Sequence, residues 1–276
     1  TGDPASVMVP EGATPAQVAE IRERMGFDRP ILVQYGVFLS NAVRGDFGYS
    51  YRIQRPALDI VLERIPATLR LMAASVAMSL AIALPIGIIS ALKRNTLFDR
   101  AGMALVLLGQ SIPPFWFGIM AILIVAVRLG ALPTSGYKGP EYLILPAMAI
   151  GLNMAAVIAR VLRASLIEVY NQDYLRTARA KGLGSSTILT RHALKNAAIP
   201  VITVLGLQIG YLMGGAVVTE TVFAYPGMGQ LAIQAILGQD IPVLQAFVIF
   251  VALIIVTINL LVDLTYSYLD PRVRHA

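Results

Sequence analysis

The sequence predicts an all-α polytopic membrane protein, and two features support that fold class. Of the 276 residues, 57% are hydrophobic and only 14% are charged, whereas soluble chains carry about 25% charge. The hydrophobic residues also gather into stretches long enough, or nearly long enough, to cross a hydrocarbon layer of about 30 Å as helices. The absence of cysteine excludes disulfide and thiolate chemistry from these residues.

Five membrane spans are predicted in order along the chain. They cover residues 68–92, 101–127, 143–159, 197–219 and 243–262. The third is short, so we expect it to continue to Leu166, with Arg160 and Arg163 at the lipid headgroups. Residues 67–276 therefore form a predicted transmembrane domain, and residues 1–66 a separate segment.

Basic residues predict which connections face the cytoplasm, because Lys and Arg in short loops stay inside. They follow the first span (Lys93, Arg94 and Arg100), fill residues 160–195 and end the chain (Arg272 and Arg274). The C-terminus is therefore predicted to be cytoplasmic, and five spans place residue 1 outside. Residues 15–25 of this outer segment are predicted to form an amphipathic helix capped by Thr14. We expect a first transmembrane helix upstream of this sequence.

Pro113 and Pro114 interrupt the second predicted span and predict a kink. Proline lacks the backbone donor, so carbonyls are freed at a depth where only protein or water can satisfy them. Gln110 and Ser111, just before the prolines, are therefore candidates for lining a translocation path. Asn153 and Gln208 are further candidates, with interhelical hydrogen bonding as the alternative for their amides.

The connection after the fourth span contains a predicted sharp turn at Pro226 and Gly227. Residues 231–237 are too short to cross the membrane and too apolar for open water. They form either a re-entrant gating segment or an ordinary surface loop. Glu220 and Tyr225, with Pro226 and Gly227, are candidate gate residues.

Gly206, Gly210 and Gly214 recur every four residues in the fourth span. This spacing places them on one helix face, where another backbone can approach closely. The approaching helix belongs either to this chain or to a second membrane subunit, and the spacing is compatible with both.

A long basic segment, residues 173–195, is predicted to project from the membrane. Its Ala, Leu, Arg and Lys residues favour helix. Gly182 and Gly184 can end one helix, and Ser185 or Ser186 can cap the next. The result is a helix–turn–helix rich in positive charge, suited to anionic lipid or to an acidic groove on a protein.

Residues 173–182, followed by His192-Ala-Leu-Lys-Asn-Ala and Pro200, resemble the coupling loop of membrane subunits in ATP-binding-cassette importers. The form is that of the dipeptide, oligopeptide, nickel and glutathione permeases, closest to the B-type subunit of the dipeptide and oligopeptide systems. Residues 1–4, 45–50 and 219–229 resemble other segments of that family, and the likeness covers essentially the whole chain. The chain departs from the general importer pattern at Arg176-Thr177-Ala178, where Glu-Ala-Ala is usual.

The resemblance implies a type I importer permease fold with a coupling loop at about residues 167–196. The residues that it implies for coupling to an ATPase are Tyr174, Arg176, Thr177, Ala178, Arg179, Lys181, Gly182 and His192. Implied partners are a second homologous permease subunit, two ATPase subunits, an extracytoplasmic solute-binding protein and the lipid of a bacterial plasma membrane, with no nucleic acid.

ATP and Mg are expected on the ATPase partners, because this chain has no Gly-Lys-Ser/Thr sequence from which to build a phosphate-binding loop. We expect no cofactor, metal site or catalytic residue in the chain itself. Short peptides are the expected cargo, with glutathione or chelated nickel as alternatives. A stand-alone channel is the alternative from another class, but a channel has no need of a docking element. An intramembrane enzyme is disfavoured because no His-Glu-x-x-His or Gly-x-Ser-x-Gly sequence is present.

Overall fold

The computed structural model describes residues 14–269. Residues 1–4, which resemble the importer family, and the tail with Arg272 and Arg274 lie outside this range. Within it the regular secondary structure is helical apart from one two-stranded hairpin, which confirms the predicted all-α class. In chain order the elements are α1 (Pro15–Met25), α2 (Ile31–Val43), β1 (Tyr49–Ser50), β2 (Arg55–Pro56), α3 (Ala57–Leu92), α4 (Leu97–Ser111), α5 (Pro114–Ala121), α6 (Glu141–Tyr170), α7 (Asp173–Ala180), α8 (Ser185–Thr187), α9 (Leu194–Val222), α10 (Met228–Leu237) and α11 (Ile241–Leu269). A π-helical stretch extends α5 (Ile122–Arg128), and another joins α8 to α9 (Ile188–Ala193).

All five predicted spans fall on helices. Four helical segments among the described residues are long and apolar enough to cross a membrane, and α4 with α5 makes a fifth if the bent pair counts as one span. Helix α3 begins at Ala57, before the predicted span, because its first turns carry Asp59, Glu63 and Arg64 and so escape a hydropathy test. Helix α6 continues to Tyr170, past the Leu166 end that we predicted.

Helix α6 lies at the centre of the bundle. Its buried residues include Ile158 and Leu162, and it packs against α3, α4 and α9. Gly151 sets the approach to α3, since a Cβ there would lie 3.0 Å from the carbonyl oxygen of Ser75. Small residues at such a crossing let two helix backbones come close, so α3 and α6 form the rigid centre of the fold.

The predicted proline kink is confirmed. Ile112 is extended, Pro114 occupies the first turn of α5, and α4 and α5 are bent by 94° at this break. Proline at a helix start needs no backbone donor, so the two prolines end one helix and begin the next.

The hairpin before α3 lies at the same end of the bundle as the start of α11. The predicted cap of α1 by Thr14 is confirmed. The Thr14 hydroxyl accepts a hydrogen bond from the Gln17 backbone N–H, and the Gln17 side-chain oxygen accepts one from the Thr14 backbone N–H. The hairpin β1–β2 is antiparallel. Its Ser50 hydroxyl donates to the carboxylate of Asp240, 2.5 Å away, and both side chains are buried. We call this the hairpin end, and the opposite end, which carries residues 173–195, the basic end.

Helix α10 contains the apolar run for which the sequence left two alternatives. Met228, Leu231 and Ala235 are buried against α3, α9 and α11, while Leu237 is 80% exposed. The run is therefore a packed helix at the hairpin end, which excludes an irregular surface loop.

The glycine row on α9 divides between two surroundings. A Cβ at Gly206 would lie 2.6 Å from the side chain of Val262 on α11, whereas a Cβ at Gly210 would meet no atom within 4 Å. The surroundings of Gly214 lie outside the described side chains. Gly206 therefore serves packing within the chain, and Gly210 faces away from its neighbours.

Candidate functional site

The predicted helix–turn–helix of the basic segment is confirmed. Helix α7 ends at Ala180, and Gly182 adopts the left-handed conformation with φ +79°. Gly182 N–H donates to the carbonyl of Arg179, and Leu183 N–H to that of Ala178, so the last carbonyls of α7 are satisfied. The predicted serine cap is wrong: Gly184 occupies the N-cap of α8, and no side chain caps that helix.

Three of the predicted coupling residues hold α7 against the bundle. Ala178, together with Leu175, is buried under the helix. The Tyr174 hydroxyl accepts a hydrogen bond from the Asn196 side chain at 2.6 Å and donates to the His192 carbonyl at 3.4 Å. These contacts make α7 a fixed projection of the start of α9.

The other five predicted coupling residues form an exposed surface, which we call the basic docking face: Arg176, Thr177, Arg179, Lys181 and Gly182. Arg176 pairs with Asp173 at 3.3 Å, a surface contact of little energetic weight. The Arg179 guanidinium lies 5.6 Å from the ring centre of Tyr170. The face therefore carries positive charge that is available to an acidic partner.

A polar cluster lies where the prolines break the second span, and we call it the break cluster: Gln110, Asn153 and Arg160. Pro114 removes the N–H that would bond the carbonyl of Gln110, four residues earlier. The Asn153 side chain donates to that freed carbonyl at 3.3 Å. Arg160 Nη2 donates to Gln110 Oε1 at 2.8 Å. The sequence predicted Gln110 and Asn153 separately, and the structure joins them through the carbonyl that Pro114 frees.

The remaining residues predicted for the path are less connected. Ser111 is exposed and bonds back to the Leu107 carbonyl at 3.0 Å. Pro113 is exposed, and Pro114 is half-buried. Gln208 is half-buried on α9, and its side chain has no hydrogen bond with any residue that the structure describes.

Arg163 forms an ion pair that the sequence analysis missed. Its Nε and Nη2 atoms each donate to Asp99 at 2.7 Å, and the Asn95 N–H adds a third hydrogen bond to that carboxylate. Asp99 is 3% exposed. A bidentate pair therefore joins α4 to α6 at the basic end.

Glu220 occupies a buried cluster at the hairpin end. Its Oε1 accepts from the Thr68 hydroxyl at 2.7 Å, and its Oε2 accepts from the backbone N–H groups of Gly229 at 2.7 Å and Gln230 at 3.1 Å. Thr68 in turn accepts from the Met228 N–H at 2.8 Å. A carboxylate placed here satisfies the free donors in the first turn of α10 and the positive end of its dipole.

The turn from Tyr225 to Gly227 completes the same cluster. Tyr225 is fully buried, burial raises the pKa of its hydroxyl, and the protonated hydroxyl donates to the Ala67 carbonyl at 3.2 Å. A Cβ at Gly227 would overlap the Glu220 carboxylate, so only glycine fits. Pro226 is half-buried between these two residues. Together they fasten α9 and α10 to α3.

The chain has helices of membrane-spanning length, a basic projection held rigidly to them, and polar groups at a broken helix. This combination is typical of a polytopic membrane transport subunit. The family model described as "Binding-protein-dependent transport system inner membrane component" matches residues 83–275. That described as "Binding-prot-dependent transport system membrane comp, N-term" matches residues 1–72. The chain belongs to the family of binding-protein-dependent transport system inner membrane components.

Relatives extend along nearly the whole chain. A dipeptide transport system permease protein of Alkalihalophilus pseudofirmus is 39% identical and covers 99% of this chain and 91% of its own length. A putative peptide transport system permease protein of Brucella abortus is 40% identical, covering 99% and 90%. The glutathione transport system permease protein of Escherichia coli is 39% identical, also covering 99% and 90%. The family resemblance and the class predicted from the sequence, a transport subunit, are thereby confirmed.

A solved structure shares the fold. The inward-facing MetNI methionine ABC transporter contains a chain that matches 76% of this one and 96% of its own length, with 20% identity and a TM-score of 0.66. The importer-type arrangement of spans is therefore confirmed.

Proposed function

We propose that this chain forms half of the translocation pathway of an ATP-driven importer of short peptides. The observation that carries the proposal is the basic docking face, which is exposed on a turn that buried contacts hold to the spans. A membrane subunit without a partner motor has no use for such a projection. In this proposal two ATPase subunits hold ATP and Mg, and the groove of one receives residues 173–184.

Rigid-body transmission is the proposed mechanism. Leu175 and Ala178 anchor α7 by burial, while Tyr174 ties it to the start of α9. A push on the basic docking face is therefore passed to α9 rather than absorbed by a flexible loop. The sharp reversal of the chain at Gly182 places the basic docking face at the tip of the projection formed by residues 173–184.

We further propose that the protein lies in a bacterial plasma membrane with the hairpin end outside. A second homologous permease subunit completes the path, and a solute-binding protein delivers the cargo to the hairpin end. The basic residues of 173–195, at the opposite end, support this orientation. The outer-face segment of residues 1–66 and the transmembrane domain of residues 67–276 are the proposed division of the chain.

Peptide cargo is supported by the descriptions of the relatives, which include dipeptide, peptide and glutathione permeases. Glutathione is itself a tripeptide, so these descriptions share one cargo chemistry. The break cluster and Gln208 are the proposed pathway groups. We assign α10 as the gate at the hairpin end. The residues proposed to hold it in position from inside the bundle are Glu220, Tyr225, Pro226 and Gly227, since Glu220 and Tyr225 are fully buried.

The test is ATP-driven uptake of a labelled dipeptide into proteoliposomes that contain the assembled complex. Gly182→Ala places a side chain at φ +79° without meeting any atom within 4 Å, so it strains only the turn, by about 1–2 kcal/mol. Gly182→Pro cannot adopt this φ at all. Gly184→Ala is the matched control, because Gly184 has φ −67° and equally open surroundings.

We expect the two Gly182 variants to lose uptake in the order Pro more than Ala, while ATP hydrolysis continues and the complex remains assembled. The Gly184→Ala variant should transport normally. Undiminished uptake by Gly182→Pro would show that this turn does not transmit force, and absence of ATP-driven peptide uptake in the unmutated complex would refute the function itself.

A further inference from the structure

Arg160 places a guanidinium at a depth where charge is costly. The Asp99–Arg163 pair lies near the basic end, and Gln110 follows Asp99 by eleven residues on α4, a rise of about 16 Å. Measured along α4, Gln110 therefore lies about half the thickness of a hydrocarbon layer, about 30 Å, from the Asp99–Arg163 pair. Arg160 donates to the side chain of Gln110, so its guanidinium extends from α6 toward that level.

This orientation follows from helix geometry. Side chains on a helix tilt toward its N-terminus, and the N-terminus of α6 is at the hairpin end. The Arg160 side chain therefore points away from the basic end and toward the break between α4 and α5.

Arg160 lacks the partner that its neighbour has. Arg163, one turn along α6, is neutralised by a bidentate pair with Asp99. Within residues 14–269, Arg160 has no ion pair, and its side chain is bonded only to a neutral amide. It is also exposed on the subunit surface. A guanidinium has five donors arranged as a planar fork, so most of its donors remain available.

Lipid is a poor neighbour for such a group. Arginine at the centre of a hydrocarbon layer costs at least about 2.5–3.5 kcal/mol, and intramembrane charges accordingly face water-filled cavities or protein. The prolines open the helix beside it, and irregular backbone at this depth is tolerated where it lines a cavity. Gln110 and Asn153 make this face polar. These surroundings favour a guanidinium that faces water rather than lipid.

We propose that Arg160, held in position by Gln110, binds the terminal carboxylate of the peptide as it passes through the membrane. The inference rests on the proposed peptide-import function and adds a recognition site to it. A guanidinium matches a carboxylate with two parallel hydrogen bonds. Contact with water in the path keeps the attraction modest, which allows release as well as capture. No covalent step is involved.

The experiment measures uptake of a dipeptide by the complete complex in proteoliposomes, together with ATP hydrolysis and thermal stability. Arg160→Gln should lower uptake of the free-carboxylate dipeptide by about tenfold or more, and Arg160→Lys, which keeps the charge but not the fork, should recover part of it. Arg128→Gln, a substitution of another exposed arginine, is the matched control and should transport normally.

A second substrate distinguishes recognition from a structural role. The same dipeptide with an amidated C-terminus is supplied at a concentration that titration shows to saturate the binding protein. The unmutated complex should prefer the free carboxylate, and Arg160→Gln should take up the two peptides at rates within about twofold.

Several outcomes would overturn the proposal while the unmutated complex still imports peptide. One is unchanged uptake of the free-carboxylate dipeptide by Arg160→Gln. Another is an equal loss for both peptides, which would make Arg160 structural. A third is a loss seen only in vesicles with anionic lipid, which would assign the guanidinium to a lipid phosphate. If the unmutated complex imports no peptide, it is the proposed function that fails.

Discussion

Replacement of Glu220 by alanine should destabilise the hairpin end more than any surface substitution. The carboxylate accepts three hydrogen bonds, from the Thr68 hydroxyl and from the N–H groups of Gly229 and Gln230, and it is fully buried. Each buried donor left without a partner costs about 1–3 kcal/mol. Water that enters the space left by the side chain recovers part of this, so we expect a total of about 3–6 kcal/mol.

The assay is thermal unfolding of the purified complex in detergent. For a chain of this size each 1 kcal/mol shifts the midpoint by about 2–4 °C, so a loss of about 3–6 kcal/mol in Glu220→Ala should lower it by about 6–24 °C. Thr68→Val removes one hydroxyl from the same cluster and should cost about 1–3 kcal/mol, whereas Thr68→Ser keeps the hydroxyl and should cost less. Glu168→Ala, at an exposed carboxylate of α6, is the control. A midpoint for Glu220→Ala equal to that of Glu168→Ala would refute the assignment of Glu220 as the group that anchors α10.

Asp99→Asn should lower the unfolding midpoint by several degrees, since it leaves the Arg163 guanidinium without its charge partner; in a double-mutant cycle with Arg163→Gln, additive losses would contradict direct coupling of the pair. Gly206→Val should destabilise the subunit by about 1–3 kcal/mol, because its side chain would collide with Val262, and thermal unfolding measures this. A Cβ at Gly210 meets no atom within 4 Å, so Gly210→Val should leave the stability of the subunit unchanged but reduce co-purification of the second permease subunit. Normal assembly of that variant would show that this face of α9 is not the subunit interface.

The spans and the break between α4 and α5 could be predicted because both depend on local sequence. A run of apolar residues specifies a transmembrane helix wherever its neighbours lie, and Pro113 and Pro114 remove donors in any context. The start of α3 was harder, because Asp59 and Glu63 look like loop residues although they continue the same helix. Hydropathy measures solubility in lipid and does not detect helical geometry that continues into water.

The partners of the polar side chains could not be predicted in the same way. Arg160 and Gln110 are fifty residues apart and meet only because α4 and α6 pack side by side. One signal was available: Pro114 frees the carbonyl of Gln110, so a donor had to come from another helix, and Asn153 supplies it. Glu220 was predicted only as a candidate gate residue in the connection after the fourth span. Its position between Thr68 and the start of α10 depends on tertiary packing.

The length of α3 has a mechanical consequence. Its 36 residues extend for up to about 54 Å, nearly twice the thickness of a hydrocarbon layer. If α3 and the α6 helix packed against it tilt together by about 10° around Leu92, Ala57 moves sideways by about 9 Å. A small change of angle at the end of α3 beside Arg94 therefore moves its other end, beside the hairpin, by a distance comparable to the size of a dipeptide.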